Sequence, residues 1–562
     1  MPSSSLAVVQ TVPILKGTPE FESARDSVLE EFAAKVPQDL RLDSSITSNP
    51  PKNVTGVPRE CGILTKDELE ITENYDAVGL AEAIATKKFS AVAVATAFSK
   101  RAIIAHQLTC CLTEWFMDEA IERAKSLDEY LEKTGKTVGP FHGVPISVKE
   151  HMALTGHYTM MGYFDTRTKH DYDTQLVATL RAAGAVFFCK TTQPQSIMHL
   201  ESVSIWGRVL NPYNIGLTSG GSTGGEAALI AMRGSPLGLG TDIGGSVRDP
   251  AGVCGIFGFK PSSYMLPMKG QLIGGFPAEL TVLGTTGPMC TSLRTVDLFM
   301  SVVLAAKPYL EDPRLIPIPW TGLKGTSQLV KAGPLKIGFM MHDGDIMPQP
   351  PVTRALEWAR SQLEKSSGGG VQVKPFAPFG AAQAMHNIRL AYWPDGANAT
   401  KQHLANSGEP MFPLTKWIIK DAEGPEKKAS EIVQMRVNRD QFRCDFAAHW
   451  EQQDVDFVIC PVFVGPACAH ETAFYWNYTA FWNYVDYPGV VFPTPISALK
   501  KGEEDYAPAN SAPLSERCKH VRQLWADGDF ENAPIDLQIV ARKYHDNDLV
   551  AALGAIRESL GL

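Results

Sequence analysis

The chain has 562 residues, of which 44% are hydrophobic and 20% charged, and this balance excludes wholesale disorder. The 61 acidic and 52 basic residues give a formal net charge of −9 without a basic stripe, so nucleic acid is not expected as a partner. Ten cysteines without a C-x-x-C pair or a metal-like Cys/His spacing indicate a reducing compartment and no metal site.

Residues 1–60 predict an N-terminal extension that contains a helix. Residues 1–10 lack the basic and long apolar regions of a signal peptide, and no apolar run could span a bilayer, so we expect a cytoplasmic protein without a transmembrane segment. Pro19 opens a helical stretch with one apolar face, formed by Phe21, Ala24, Val28 and Phe32. Because the other face is acidic, packing against the main body is favoured over membrane binding.

Residues 61–562 predict one large α/β domain. Helical patterns at Ala91–His106 and Asp118–Leu131 are followed by short strands that alternate with helices. The predicted strands are Pro145–Val148, Ala185–Cys189, Leu237–Leu239, Leu335–Met340 and Asp456–Cys460, and the predicted helices between them are Thr174–Ala183, Glu226–Met232 and Val352–Lys365. A proline-rich segment at 307–334 interrupts the pattern. Such alternation predicts strands that lie side by side in a sheet.

Two loops rich in glycine and serine dominate the middle of the chain. The first, Thr218–Glu226, reads TSGGSTGGE, and the second, Gly238–Pro250, reads GLGTDIGGSVRDP. Glycine at this density lets the backbone approach a ligand closely, and consecutive N–H groups can converge on an anion.

Three interpretations of the first loop compete. A phosphate-binding loop would need a lysine where Glu226 stands, which disfavours a nucleotide. A nucleophile elbow is formally present in Gly220-x-Ser222-x-Gly224, but it requires a preceding strand, and Asn211–Ser219 is predicted as loop. A flexible linker is disfavoured because the second loop follows at once and both loops border ordered elements.

The two loops resemble the signature of the amidase family. Gly220–Glu226 and Gly238–Arg248 are similar to its serine motifs, and Gly139–Lys149 is similar to its lysine motif. The resemblance runs from about Cys61 to near the C-terminus. Within the family, the chain is most similar in appearance to the fungal acetamidase-like branch, and its motifs are also similar to those of fatty-acid amide hydrolase. It implies a single domain with a mixed central β-sheet covered by helices on both faces.

The resemblance also implies roles for individual residues. Ser246 would be the nucleophile, Ser222 would bridge in a cis peptide, and Lys149 would be the base. The oxyanion hole would come from the N–H groups of Ile243, Gly244, Gly245 and Ser246, each typically contributing about 10²–10³ in rate. The acyl pocket would be lined by Ile197 and Met198. The supporting residues would be Thr223, Thr241, Asp242 and Arg248, and Thr223 stands where the family often has a second serine.

Elementary chemistry supports this arrangement. A serine hydroxyl needs an adjacent base near neutral pH, and a lysine serves only when burial keeps it unprotonated. If the strand continues through them, Lys149 and Glu150 should point apart, so Glu150 would not re-protonate its neighbour. Taken alone, Lys149 would be interpreted as a surface residue, and only the two serine loops favour the catalytic interpretation.

Several interpretations stay open. Asp242 and Arg248 either form an ion pair that braces the nucleophile loop or bond separately to backbone. An aromatic run, Phe474–Tyr478 with Phe481 and Trp482, forms either the outer wall of a pocket or part of the core. Further pocket candidates are Met160, Met161 and Tyr163, whereas His142, His151 and His470 lack metal-ligand spacing.

The expected activity is hydrolysis of a monocarboxylic acid amide to the acid and ammonia or an amine, through a seryl acyl-enzyme. A small aliphatic or aryl amide is the expected substrate, and no cofactor is expected. The alternatives are a fatty-acid amide or ester hydrolase of the same family, a hydrolase with Ser222 as elbow nucleophile, and a non-catalytic or amide-transfer subunit. A homodimer is left open.

Overall fold

The computed structural model describes residues 5–271, 281–325, 333–366, 370–507 and 512–562. Residues 1–4 of the predicted extension and 326–332 of the proline-rich segment therefore lie outside the described residues. The strands, in chain order, are β1 (Leu112–Trp115), β2 (Pro145–Lys149), β3 (Tyr158–Thr159), β4 (Thr168–Lys169), β5 (Val186–Thr191), β6 (Val203–Ser204), β7 (Gly207–Arg208), β8 (Leu210–Asn211), β9 (Asn214–Thr218), β10 (Leu237–Asp242), β11 (Phe257–Lys260), β12 (Thr285–Cys290), β13 (Leu335–Phe339), β14 (Val371–Pro375), β15 (Phe457–Pro461), β16 (Gly489–Ser497) and β17 (Pro534–Val540).

A mixed sheet of eleven strands runs through the described part of the chain, in the order β1-β5-β2-β10-β12-β11-β16-β17-β15-β13-β14. The pairs β5–β2, β2–β10, β15–β13 and β13–β14 are parallel, and the remaining pairs are antiparallel. The α/β fold with a mixed central sheet is thus confirmed.

Alternation along the strands divides the core into two clusters. In β15, Phe457 and Ile459 belong to one hydrophobic cluster, whereas Val458 and Cys460 belong to the other. Successive side chains of a strand point to opposite faces of the sheet, so each cluster occupies one face. Helices cover the hydrophobic cluster on each face of the sheet.

The helices, in chain order, are α1 (Pro19–Ala34), α2 (Ser44–Ser48), α3 (Val57–Glu60), α4 (Lys66–Asn74), α5 (Ala77–Ala85), α6 (Ala91–Thr109), α7 (Met117–Thr134), α8 (Gln175–Ala182), α9 (Gly224–Ala231), α10 (Arg248–Val253), α11 (Leu293–Ala305), α12 (Pro350–Ser366), α13 (Ala381–Tyr392), α14 (Asn398–Ser407), α15 (Pro413–Ile419), α16 (Ala429–Gln453), α17 (Asn477–Tyr484), α18 (Glu516–Asp527) and α19 (Asp546–Ile556). Within the described ranges, no helix combines the length and the apolar character needed to cross a bilayer.

The helix predicted in the N-terminal extension is α1. Thr18 caps it by accepting from the Phe21 N–H, and Pro19 occupies its first turn. The buried residues Phe21, Val28 and Phe32 join the same hydrophobic cluster as β1 and β5. The apolar face of α1 therefore packs against the main body.

The segment before Ser222 is a hairpin, so the predicted loop at Asn211–Ser219 is wrong. Strands β8 and β9 pair antiparallel with each other and stand outside the eleven-stranded sheet. Asn211 caps the turn with its side chain, which accepts from the Tyr213 N–H at 3.0 Å. Of the residues that suggested a loop, Pro212 lies in the turn of this hairpin, whereas Asn211, Asn214 and Gly216 lie in its strands.

Candidate active site

The geometry of the sheet brings the lysine motif to the second glycine loop. Strands β2 and β10 are parallel neighbours, with Ser147 opposite Gly238 and Val148 opposite Leu239. The carboxyl ends of adjacent parallel strands meet at one edge of a sheet, where ligands commonly bind. Lys149 ends β2 at this edge, and Ser246 follows the end of β10.

Lys149 is completely buried and contacts three hydroxyl groups. Its Nζ lies 2.7 Å from Ser222 Oγ, 3.0 Å from Thr223 Oγ1 and 3.2 Å from Thr241 Oγ1. The alternative of a surface lysine is therefore wrong, and the threonine in place of a second serine keeps its hydroxyl on the lysine.

Burial lowers the pKa of Lys149 to about 7, against the opposing charges of Asp242, Glu226 and Glu150. Two of these carboxyls oppose it weakly, because burial raises the pKa of Glu226 to about 8 and that of Glu150 to about 8. Glu150 also accepts from Trp206 Nε1 at 2.7 Å, whereas Lys149 bonds to Ser222. A neutral amine is accordingly present near pH 7.

The bridging position in the first loop is tightly enclosed. The Gly221–Ser222 peptide bond is cis, as the resemblance implied. A Cβ on Gly221 would lie 2.3 Å from the carbonyl oxygen of His199, and the Gly221 N–H donates to Asp249 Oδ2 at 3.1 Å. Only glycine fits here, so the loop holds Ser222 in one position.

Asp242 braces the second loop both by an ion pair with Arg248 and by hydrogen bonds to the backbone, the two interactions that the sequence left open. Its carboxylate accepts from the N–H groups of Gly245 (2.9 Å) and Val247 (3.2 Å), and it pairs with the Arg248 guanidinium at 3.0 Å. Although burial raises the pKa of Asp242, the charge and hydrogen bonds of Arg248 outweigh it and bring the pKa to about 2. The loop is thus built around a buried ion pair.

These bonds change the expected set of oxyanion donors. The Gly245 N–H donates to Asp242, so we do not expect it to stabilise an oxyanion. The loop is further fixed by Tyr392, whose hydroxyl donates to the Ile243 carbonyl at 2.5 Å, and by Thr479, whose hydroxyl donates to the Gly244 carbonyl at 2.9 Å. The candidate donors are the N–H groups of Ile243, Gly244 and Ser246.

Ser222 and Ser246 line one cavity of about 160 Å³. Ile197, Met198 and Tyr163 line it too. Further wall residues come from distant parts of the chain and belong to no motif identified from sequence; they include Leu266, Met268, Val282, Leu283, Tyr392, Trp393, Thr400 and His403. The lining therefore combines polar side chains, among them Asp312 and Arg314, with apolar and aromatic ones.

The aromatic run after Phe474 belongs to the core. Trp476 packs behind Tyr392 with ring centroids 5.9 Å apart, and Phe481 and Trp482 pack against Phe446. Phe474 and Tyr475 face a second cavity that shares no lining residue with the first. No side chain of this run lines the cavity of Ser222 and Ser246, so the interpretation as the outer wall of that pocket is wrong.

The described residues contain no cluster of histidine, cysteine or acidic side chains suited to a metal ion. His151, considered from sequence only as a metal ligand, lines the cavity instead, with Nδ1 2.6 Å from Gln193 Oε1.

Known proteins resemble this chain over nearly its whole length. The family model described as Amidase matches residues 93–550. An amidase of Gibberella zeae is 36% identical over 94% of this chain and 96% of its own length, and an acetamidase of Aspergillus oryzae is 34% identical over 91% and 94%. The solved structure of a fatty acid amide hydrolase superposes with a TM-score of 0.87 at 31% identity, covering 97% of this chain and 95% of that one.

Proposed function

The chain belongs to the amidase family and is an amidase by that membership, and from this premise we propose that it hydrolyses a monocarboxylic acid amide through an acyl-enzyme on Ser246. The observation that carries the proposal is the buried amine of Lys149, 2.7 Å from Ser222 Oγ, beside a cavity that both serines line.

Acylation proceeds as a proton relay. Neutral Lys149 takes the proton of Ser222, Ser222 takes the proton of Ser246, and the Ser246 oxygen attacks the amide carbonyl carbon. The C–N bond then breaks as the proton returns through Ser222 to the leaving nitrogen, which would otherwise depart as an amide anion. A water molecule repeats the attack on the ester and releases the acid.

The negative charge of the tetrahedral intermediate falls on the carbonyl oxygen. The N–H groups of Ile243, Gly244 and Ser246 are the donors we assign to it. Their loop is held by Asp242, Tyr392 and Thr479 before substrate arrives, so no reorganisation is needed during the reaction.

The cavity wall supports a neutral acyl group. Its lining includes the apolar or aromatic residues Ile197, Met198, Leu266 and Trp393. We propose small aliphatic and aryl amides as the substrates. Long-chain amides are the second candidate, favoured by the high structural similarity to fatty acid amide hydrolase.

The first test removes the relay. Ser246→Ala and Lys149→Ala should each lower kcat by about 10³-fold or more, because attack then lacks its nucleophile or its base. Lys190→Met is the matched control, since Lys190 is also fully buried but donates to the Met152 carbonyl. It should lower stability while retaining acylation. Near-wild-type turnover of Lys149→Ala would contradict the relay.

Labelling with a fluorophosphonate and peptide mapping identifies the nucleophile. We expect the adduct on Ser246, and an adduct on Ser222 would favour an elbow hydrolase. Turnover of acetamide, benzamide and oleamide then separates short, aryl and long-chain acyl groups. If the purified chain releases no ammonia from any of them, the amide-transfer alternative gains support.

A further inference from the structure

Three side chains outside the relay, Gln193, His151 and Thr241, connect to it through hydrogen bonds. Gln193 Oε1 lies 2.6 Å from His151 Nδ1, and His151 Nε2 lies 3.4 Å from Thr241 Oγ1. Thr241 in turn lies 3.2 Å from Lys149 Nζ. The donor and the acceptor of each hydrogen bond in this series can be assigned from the groups at its two ends.

The Gln193 end is fixed by Met160. The Gln193 side-chain amide nitrogen donates to the Met160 carbonyl at 2.7 Å, and a carbonyl can only accept. The amide oxygen of Gln193 therefore faces His151 Nδ1, which must carry the proton. Burial, together with the charges of Lys149 and Lys190, lowers the pKa of His151 to about 3, so the ring is neutral and its Nε2 is unprotonated.

Thr241 has one proton to donate. The lone pair on His151 Nε2 accepts it, which leaves the Thr241 oxygen as an acceptor for the Lys149 amine. In this arrangement Thr241 cannot donate to Lys149.

A neutral lysine has two N–H donors and one lone pair, yet Lys149 faces three hydroxyls. One N–H is used on Thr241, so the lone pair is directed to Ser222 or Thr223. The contact with Ser222 is the shortest, at 2.7 Å. On the relay described under the proposed function, we propose that Gln193 and His151 are positioning residues that direct the lone pair of Lys149 to Ser222.

The opposite tautomer would have the opposite effect. With its proton on Nε2, His151 would donate to Thr241, and Thr241 would then donate to the lone pair of Lys149. The base would be occupied and its neutral form stabilised. The titratable groups whose charge acts on Lys149 are carboxyls, namely Asp242 on β10, Glu226 on α9 and Glu150 beside it, and none of them bonds to His151 in the described residues.

The decisive variant is Gln193→Leu, which leaves His151 in place but frees its tautomer. We expect kcat to fall about tenfold, the effect of one misdirected hydrogen bond, with KM changed less than about twofold. The acid limb of the pH profile should move to lower pH, because Thr241 now stabilises the neutral amine. His151→Phe should lower kcat and shift the acid limb to the same extent. The double variant His151→Phe/Gln193→Leu should show no further loss of kcat than His151→Phe alone.

Two further measurements exclude a merely structural role. Gln175→Leu is the control, since Gln175 is a buried glutamine that donates to the Pro308 carbonyl and does not line the cavity, so the acid limb of this variant should not move. ¹⁵N NMR of histidine-labelled protein should place the His151 proton on Nδ1. This measurement needs only the wild-type protein, so it decides the tautomer even if a variant fails to fold.

A wild-type proton on Nε2 would overturn the proposal. So would a lowered kcat in Gln193→Leu with an unmoved acid limb, or additive effects of the two substitutions. Full activity of Lys149→Ala would instead refute the relay itself, and the assignment of the His151 tautomer would stand.

Discussion

Arg248 is a fully buried cation held by side chains from three parts of the chain. Its guanidinium donates to Asp242 (3.0 Å), to Asn483 Oδ1 (2.7 Å) and to Gln538 Oε1 (3.3 Å). Asp242 also accepts from backbone N–H groups of the second loop, which carries Ser246. By holding Asp242, Arg248 therefore fixes the position of Ser246 indirectly.

At the scale of this residue, we expect Arg248→Met to be strongly destabilising. It leaves Asp242 as an unpaired buried charge, which typically costs about 3–5 kcal/mol of unfolding free energy. Urea unfolding measures this loss, and kcat should fall with it because the oxyanion loop loosens. Arg360→Met is the control, since its pair with Glu364 is about half exposed. Its effect should stay below about 1 kcal/mol, and equal losses in the two variants would contradict the brace.

Phe32 of helix α1 packs against aromatic side chains of the main body. The Phe32 ring lies 4.6 Å from the His106 ring and 6.4 Å from the Trp206 ring, measured between centroids. Trp206 donates to Glu150, the neighbour of Lys149. The N-terminal extension therefore supports the wall behind the lysine motif.

At the scale of this element, Phe32→Ala should destabilise the whole protein. Removing a buried phenylalanine side chain typically costs about 3–5 kcal/mol. Thermal and urea unfolding should show one shifted transition that includes the main body. The exposed Glu30 of the same helix is the control, and Glu30→Ala should change little. An early separate transition in Phe32→Ala, with the main transition unmoved, would mean that α1 is dispensable.

Local pattern predicted the elements that carry the lysine and the serines. Short apolar runs with flanking turn residues identified β2 and β10 within three residues, because strands buried on both faces carry such runs. The hairpin of β8 and β9 was missed since its short strands stand apart from the main sheet and contain asparagine and glycine, which are typical of turns. Tyr392 and Trp393 follow no motif, and they reach the cavity only because α13 folds over the second loop. The Gln193–His151 bond likewise joins two loops whose proximity only the fold reveals.

At the scale of the whole molecule, activity and folding should respond to acid separately. The base form of Lys149 titrates with a pKa of about 7, so kcat/KM should rise through pH 7 and level off above about pH 8. At pH 5 only about one lysine in a hundred would be neutral.

The fold should survive this acidification, because two opposite effects offset each other between pH 8 and pH 5. The lowered pKa of His151 opposes folding as pH falls below 6.5, whereas the raised pKa values of Glu226 and Glu150 favour folding as pH falls from about 8 to 4.5. The lowered pKa of Asp242 stabilises the folded state fully above the unfolded value of 3.8 and is lost only as pH falls through about 2. The lowered pKa of Lys149 opposes folding increasingly from pH 10.5 down to 7, but below 7 both states are protonated and the penalty stops growing. Circular dichroism at pH 5 should therefore match that at pH 8, with activity restored on return to pH 8. Unfolding at pH 5 would contradict this separation.

The brace on Arg248 also bears on synthesis of the chain. A ribosome that has just translated residue 260 has made Lys149, Ser222 and Ser246, but neither Asn483 nor Gln538, which hold the guanidinium in the finished protein. Strands β16 and β17, which complete the centre of the sheet, are also still missing. The loop that carries Ser246 can acquire its full set of buried bonds only when the last tenth of the polypeptide has emerged, so on the proposed relay unfinished chains should be inactive.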